Sequence, residues 1–168
     1  MTGTHFHLLV NHVPILGAFF ALALLIASFV YAPEILRRTA LVVMVIVGIA
    51  GGAAKLSGDP AEDGVRGMPG VTRLAIHTHE DMADKAFIAA AIVGIFAIGM
   101  LITTRRTTLP QWSFVALLVG TVTVSALMGD AGLLGGEVRH TEVRPGATAA
   151  DAIAIEPPRV RTPPAVTP

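Results

Sequence analysis

The chain alternates four long apolar stretches with short polar segments. The apolar stretches cover residues 14–32, 39–56, 85–102 and 112–134. Each approaches the roughly 17–25 apolar residues that a helix needs to cross a bilayer. Because a backbone inside lipid must satisfy its own hydrogen bonds, helices are the expected form of all four. The pattern therefore predicts an all-α fold, an integral membrane four-helix bundle over residues 1–142.

The ends of the predicted spans carry local signals. Pro14 is expected near the start of the first helix, where a missing N–H costs little. The sequence SGDP, residues 57–60, closes the second span. Thr78 and Asp81 match a capping box, which predicts the beginning of the third helix. Trp112 is expected to anchor the fourth helix at the membrane interface.

Glycines recur within the predicted spans, among them Gly48, Gly94 and Gly120. Small residues let transmembrane helices approach each other closely. Helix packing therefore explains these glycines without contact between the backbone and a cofactor.

The distribution of arginines predicts the orientation of the bundle. Four crossings place both termini on one side. The two short loops on the other side carry one acid, Glu34, against four arginines: Arg37, Arg38, Arg105 and Arg106. By the positive-inside rule those loops are cytoplasmic, so both termini are expected in the periplasm or outside the cell. The proline-rich residues 143–168 are expected to form an extended, disordered tail.

The composition agrees with a membrane domain and narrows the chemistry. The chain is 53% hydrophobic and only 14% charged, whereas soluble domains carry about 25% charged residues. Its net charge is zero, which gives no support for nucleic-acid binding. It has no cysteine, which excludes disulfides, thiolate metal sites and covalent c-type haem.

The predicted topology gathers the histidines at one membrane face. They are His5, His7 and His12 at the start of the first helix, His77 and His79 before the third span, and His140 after the fourth. Alone, an imidazole at a membrane interface is usually a polar tip in headgroup water. All six on one side indicate a site built from three helix ends. Helical periodicity turns His79 toward the apolar side of its helix.

His12 lies deepest of the six, beside Pro14, where an unpaired imidazole would be costly. Its partner is expected to be a metal, a haem or Asp130. Asp130 lies within the fourth apolar stretch, and intramembrane carboxylates mark functional sites. A salt bridge from Asp130 to Lys55 is the structural alternative.

Four sequence motifs resemble those of a family of small four-helix bacterial membrane proteins of unknown function. The motifs are HFHLLVNHVPILG, LSGDPAED, IHTHED and LLGGEVRHTEV, and they run from about His5 to Glu142. The resemblance implies a multi-pass protein of the bacterial inner membrane, in a family for which a redox or haem-binding role is suspected. The matching polar residues are His7, Asn11, His12, Asp59, Glu62, His79, Glu80, Glu137, Arg139 and His140. His5 and His77 depart from the family pattern.

The first functional hypothesis is electron transfer by a b-type haem near the extracytoplasmic face. His12 and His79 could hold one iron from opposite faces. The further candidate haem-binding residues are His7, Asn11, Arg139 and His140. Because the arginine-rich loops carry no histidine, electrons would be exchanged with a redox or membrane-complex partner, or with quinol, at the histidine-rich face.

Two alternatives remain open. A non-haem site could hold Zn, Cu, Fe or Mn, because imidazole and carboxylate ligands suit these metals. The candidate ligands are His7, His12, His79, Glu62, Glu80 and Glu137. The chain could also be a non-catalytic accessory subunit that docks a partner in a membrane complex.

Overall fold

A computed structural model describes residues 3–147, and this part of the chain is helical without strands. The elements are α1 (Gly3–Ala27), α2 (Pro33–Leu56), α3 (Gly58–Val65), α4 (Arg73–Thr103), α5 (Gln111–Arg139) and a 3-10 turn at Thr141–Val143. Within the described part, α1, α2, α4 and α5 are long and apolar enough to cross a membrane. The predicted all-helical fold with four spans is confirmed. From residue 148 onward, the predicted tail lies outside the described residues.

The four long helices pack as a closed ring in the order α1, α2, α4, α5. Each helix contacts its two neighbours in this ring, so α1 and α4 lie on one diagonal and α2 and α5 on the other. The contact between α1 and α5 is the least extensive of the four. The short helix α3 packs against the beginning of α1. This arrangement leaves the outer faces of the long helices apolar and exposed, as lipid contact requires.

Helices α2 and α4 cross at their closest point through a pair of glycines. A Cβ atom on Gly48 would lie 3.2 Å from the carbonyl oxygen of Ala90, and one on Gly94 would lie 3.3 Å from that of Met44. Backbone therefore faces backbone here, with no room for a side chain between the helices. This confirms helix packing as the explanation of these two glycines.

Charged and aromatic residues divide the bundle into two polar ends about one hydrocarbon thickness apart. At about 1.5 Å per helical residue, Arg38 and Lys55 are about 26 Å apart along α2, and Asp84 lies about 29 Å from the end of α4. A bilayer core is about 30 Å thick. We call residues 3–12, 55–84 and 130–147 the histidine end, and residues 28–38 and 103–112 the arginine end. All six histidines belong to the histidine end.

Two helices begin earlier than the sequence predicts. Helix α1 begins at Gly3, so Pro14 is buried inside the helix instead of near its start. Helix α4 begins after Thr72, whose Oγ1 accepts a hydrogen bond from the Ala75 N–H at 3.2 Å. The capping box predicted at Thr78 is therefore wrong. Thr78 lies in the second turn of α4, and its hydroxyl bonds back to its own helix. Both helices consequently extend beyond the apolar stretches and carry polar residues above the membrane.

At the arginine end, Arg38 ties α2 to the connection between α4 and α5. Its Nε donates to Glu34 at 2.6 Å, and its Nη2 donates to the carbonyl oxygens of Thr104 at 2.8 Å and Thr107 at 2.5 Å. The Glu34 carboxylate also accepts from the Leu109 N–H at 3.3 Å. Arg38 is one of the arginines that indicate the orientation of the bundle. It also stabilises the fold, because its planar guanidinium donates to several acceptors at once.

Candidate functional site

His7 is held against the end of α2 through its Nδ1 atom. Nδ1 lies 3.1 Å from the carbonyl oxygen of Ala54 and 2.9 Å from the hydroxyl oxygen of Ser57. The Ser57 hydroxyl itself donates to the Ala54 carbonyl at 2.9 Å. Because a carbonyl can only accept, Nδ1 carries the hydrogen. The neutral His7 ring therefore keeps the lone pair of Nε2 available for a ligand.

His79 is held in the same way by α5. Its Nδ1 lies 3.0 Å from the carbonyl oxygen of Ala131, so Nδ1 is again the donor and Nε2 the free acceptor. The ring packs against Gly135, where a Cβ atom would lie 3.0 Å from Cε1 of the imidazole. His79 is partly buried and faces the bundle, as helical periodicity predicts. Because Gly135 has no side chain, the His79 ring can pack directly against the backbone of α5.

His7 and His79 approach each other from opposite sides of the bundle. His7 belongs to α1 and bonds to α2, whereas His79 belongs to the diagonal helix α4 and bonds to α5. The two rings are close enough to interact electrostatically. Histidines that bind metals almost always donate their second ring N–H to a carbonyl, carboxylate or water. Both residues have this arrangement, with carbonyl partners.

Asn11 lies one helical turn after His7 on the same side of α1. Its Oδ1 atom is buried and has no hydrogen-bond partner among the described residues. Leaving a buried acceptor unpaired costs about 1–3 kcal/mol.

His12 does not join this pair. Its side chain is exposed on α1, and its Nδ1 bonds to the carbonyl oxygen of Leu8 in the same helix at 2.6 Å. His79 instead faces the bundle interior. His7, and not His12, therefore lies close enough to His79 for an electrostatic interaction, whereas the sequence suggested the pair His12 and His79.

Asp130 also differs from the sequence-based expectation. Among the described residues Lys55 forms its salt bridge with Asp84, so the structural alternative, a bridge between Lys55 and Asp130, does not form. Asp130 is exposed on α5, and it lies about 27 Å along the helix from Trp112. That distance is close to a full hydrocarbon thickness, so Asp130 lies about one bilayer core away from the predicted interfacial anchor.

The predicted cofactor residues near the end of α5 lie at the surface. His140 bonds through Nδ1 to Glu142 at 2.9 Å, and Arg139 donates to the carbonyl oxygen of Pro69 at 3.2 Å. A hydrogen bond from its own backbone N–H and then one from His140 lower the pKa of Glu142. Arg139 thus fastens the loop after α3 to α5, and His140 pairs locally.

The predicted carboxylate ligands are engaged elsewhere. Glu80 pairs with His77 at 3.0 Å, and Glu62 pairs with Arg66 at 2.7 Å. Glu62, followed by Asp63 and Glu80, raises the pKa of Arg66. Glu137 lines an open groove of ≈ 310 Å³ between α4 and α5. Within residues 3–147, no three His, Asp or Glu side chains are grouped so that they could hold a metal ion.

One signal in the sequence could have identified His7. The buried residues of α1 include Pro14, Ala18 and Ala21, which share one stripe. His7 precedes Pro14 by seven residues, or about two turns, and so continues this stripe, as does Asn11. His12 lies off the stripe. The sequence could not have predicted the hydrogen bonds to the Ala54 and Ala131 carbonyls, because every residue carries a carbonyl.

The chain matches no family model, no curated protein and no solved structure.

Proposed function

We propose that the chain is a membrane-bound electron-transfer protein that holds a b-type haem between His7 and His79. The observation that carries the proposal is the pair of imidazoles on diagonal helices. Each is fixed through Nδ1 to a backbone carbonyl, and the Nε2 of each has no hydrogen-bond partner among residues 3–147. Haem iron takes imidazole nitrogens as axial ligands. Four-helix bundles commonly hold cofactors between facing helices.

The two imidazoles suit the iron of such a group, because each is neutral when its Nδ1 hydrogen is donated to a carbonyl. The His79 ring packs on Gly135, which has no side chain to displace it. A bound haem would supply one-electron chemistry. The protein's contribution is to fix both ligands, since the carbonyl partners set the tautomer and orientation of each ring.

The depth of the pair limits its electron partners. Ala54 and Ala131, which hold the two rings, lie beside Lys55 and Asp130 at the membrane boundary. The arginine end carries no histidine. A haem at the histidine end therefore exchanges electrons with a partner at that face. By the positive-inside rule the arginine end is cytoplasmic, and the histidine end of this inner-membrane protein faces the periplasm or the outside.

The visible absorption spectrum of the detergent-purified full chain tests the proposal. The expected result is a Soret band that shifts when dithionite is added, with about one iron per chain if a single haem lies between two axial ligands. A colourless protein that contains stoichiometric zinc, copper or manganese would contradict the haem hypothesis and support a non-haem metal site. A colourless protein without metal would overturn both hypotheses and leave the accessory-subunit role.

The orientation has its own test, which the absence of cysteine from the chain makes simple. Met68 and Thr108 are exposed, the first at the histidine end and the second at the arginine end. In intact cells with a permeabilised outer membrane, a membrane-impermeant maleimide should label Met68→Cys. Thr108→Cys should react only after the inner membrane is disrupted. Labelling in the opposite order would reverse the assignment.

A further inference from the structure

Arg37 of α2 is held at the arginine end between the end of α1 and the beginning of α5. Its Cζ atom lies 3.8 Å from the centroid of the Phe114 ring, and its Nε donates to the hydroxyl oxygen of Ser28 at 3.4 Å. Ser28 is buried, and its own hydroxyl donates to the carbonyl oxygen of Leu25 at 2.7 Å. Phe114 is buried and packs edge-on against Phe29, with the ring centroids 5.2 Å apart. The guanidinium is therefore positioned by a ring and a hydroxyl that are themselves fixed.

The positive charge of Arg37 has no counter-charge in the described part of the chain. Among residues 3–147, no carboxylate forms an ion pair with it. Its Nε is bonded to Ser28, but the N–H groups of Nη1 and Nη2 have no acceptor among these residues. The Phe114 ring attracts the cation but carries no net charge. Because Arg37 is partly buried, an anion that accepts from Nη1 and Nη2 would offset the cost of an unpaired charge.

Arg105 and Arg106 add to the positive charge of this end. Both are exposed, and neither forms an ion pair with another described residue. Arg38 donates to the carbonyl oxygens of Thr104 and Thr107, which flank the two arginines, and so holds their segment against α2. The arginine end carries four arginines and one glutamate, which leaves three positive charges uncompensated. Basic sites between transmembrane helices attract anionic lipid headgroups.

Exposed apolar side chains lie beside this charge. Val30, Tyr31 and Ile35 are exposed, and they precede Arg37 closely in the chain. Arg37 is about 27 Å along α2 from Lys55, which is close to the thickness of a bilayer core. A ligand at this level can place a charged group on the arginine and hydrocarbon on the neighbouring surface. An anionic lipid has both parts, whereas a free phosphate ion has only the first.

We propose that Arg37 binds the phosphate group of an anionic membrane lipid, and that Arg105 and Arg106 draw such lipids to the arginine end. The N–H groups of Nη1 and Nη2 donate to the phosphate oxygens, because the planar guanidinium can serve two oxygens at once. The guanidinium is already held in place, so binding costs little side-chain entropy. This site lies at the opposite end of the bundle from His7 and His79, and it does not depend on the haem.

The test is the thermal unfolding of the full chain in dodecyl maltoside micelles that contain increasing fractions of phosphatidylglycerol. A lipid that binds the folded state raises the midpoint in proportion to its affinity and amount. The wild-type midpoint should rise with phosphatidylglycerol but not with phosphatidylcholine. The rise should persist in about 1 M NaCl, where the Debye length falls to about 3 Å and exposed charges are screened.

Arg37→Gln should need about tenfold more phosphatidylglycerol for the same rise, which corresponds to about 1.4 kcal/mol. Each variant is compared with itself in phosphatidylcholine, so a lower starting stability does not hide the effect. Arg73→Gln is the matched control, because Arg73 is also exposed without an ion pair among the described residues but belongs to the histidine end. Its response to phosphatidylglycerol should equal that of the wild type.

Three results would overturn the lipid site. A wild-type response in Arg37→Gln would show that Arg37 does not bind the headgroup. A wild-type rise that disappears in high salt would indicate diffuse attraction by the exposed arginines. An equal rise with inorganic phosphate alone would assign the site to a soluble anion instead of a lipid.

Discussion

Replacing either His7 or His79 with alanine is expected to abolish the Soret band of the purified protein. Each substitution removes one of the two proposed iron ligands, and a single remaining imidazole holds haem far more weakly. Absorption spectra of the variants, recorded with and without dithionite, measure the effect. The two losses should be equally complete, because the ligands act on one iron.

A second substitution separates ligation from structure. In asparagine the side-chain amide nitrogen takes a place similar to that of Nδ1, so His7→Asn and His79→Asn keep a donor for the Ala54 and Ala131 carbonyls. They remove Nε2 and should lose the Soret band as alanine does. His77→Ala is the matched control, because His77 lies two residues from His79 but is exposed and bonded to Glu80. If His12→Ala loses the Soret band and His7→Ala keeps it, the ligands are His12 and His79, as the sequence suggested.

Gly48→Leu and Gly94→Leu are expected to destabilise the bundle by about 3 kcal/mol each, the upper part of the range for overpacked cores. Both glycines face the backbone of the neighbouring helix, where an added Cβ atom would lie only 3.2 Å (Gly48) or 3.3 Å (Gly94) from a carbonyl oxygen. A carbonyl in a helix cannot turn aside as a long side chain can, so α2 and α4 would have to separate along their crossing. Thermal unfolding in detergent, followed by circular dichroism, should show lower midpoints for both variants.

Gly99→Leu serves as the control on the same helix. Gly99 is exposed, and no described atom lies within 4 Å of a Cβ at that position, so its midpoint should stay near that of the wild type. Equal midpoints for Gly94→Leu and Gly99→Leu would show that the helices do not cross at Gly94 as the structure has them.

Residues of α1 show how far sequence reasoning reaches at the candidate site. The apolar stretch predicts the helix, and the stripe of Pro14, Ala18 and Ala21 predicts which face is buried. Continuing that stripe toward the start of α1 leads to His7. The choice of His12 followed depth in the membrane instead of direction around the helix. A residue can lie deep along a helix and still point away from the bundle, as His12 does.

Thr78 and Asp130 mark a different limit. Thr78 has the capping pattern, but Thr72 takes the cap, because the first turn of α4 forms where the chain leaves the loop after α3. Counting apolar residues puts Asp130 inside the membrane, whereas along α5 it lies about one bilayer core away from Trp112. The local sequence pattern does not distinguish the residue that caps the helix from other residues with the same pattern. Packing of the chain determines which residue takes that role.

The sequence alone determined that four helices are long and apolar enough to cross a membrane, that arginines gather at one end and that imidazoles gather at the other. These properties depend on the length and composition of single segments, which lipid and water select locally. Only the tertiary structure decided that α1 and α4 are diagonal, and that His7 and not His12 lies close enough to His79 to interact with it electrostatically. Those features depend on how each helix is rotated against its neighbours, which close glycine crossings and long-range carbonyl bonds set together.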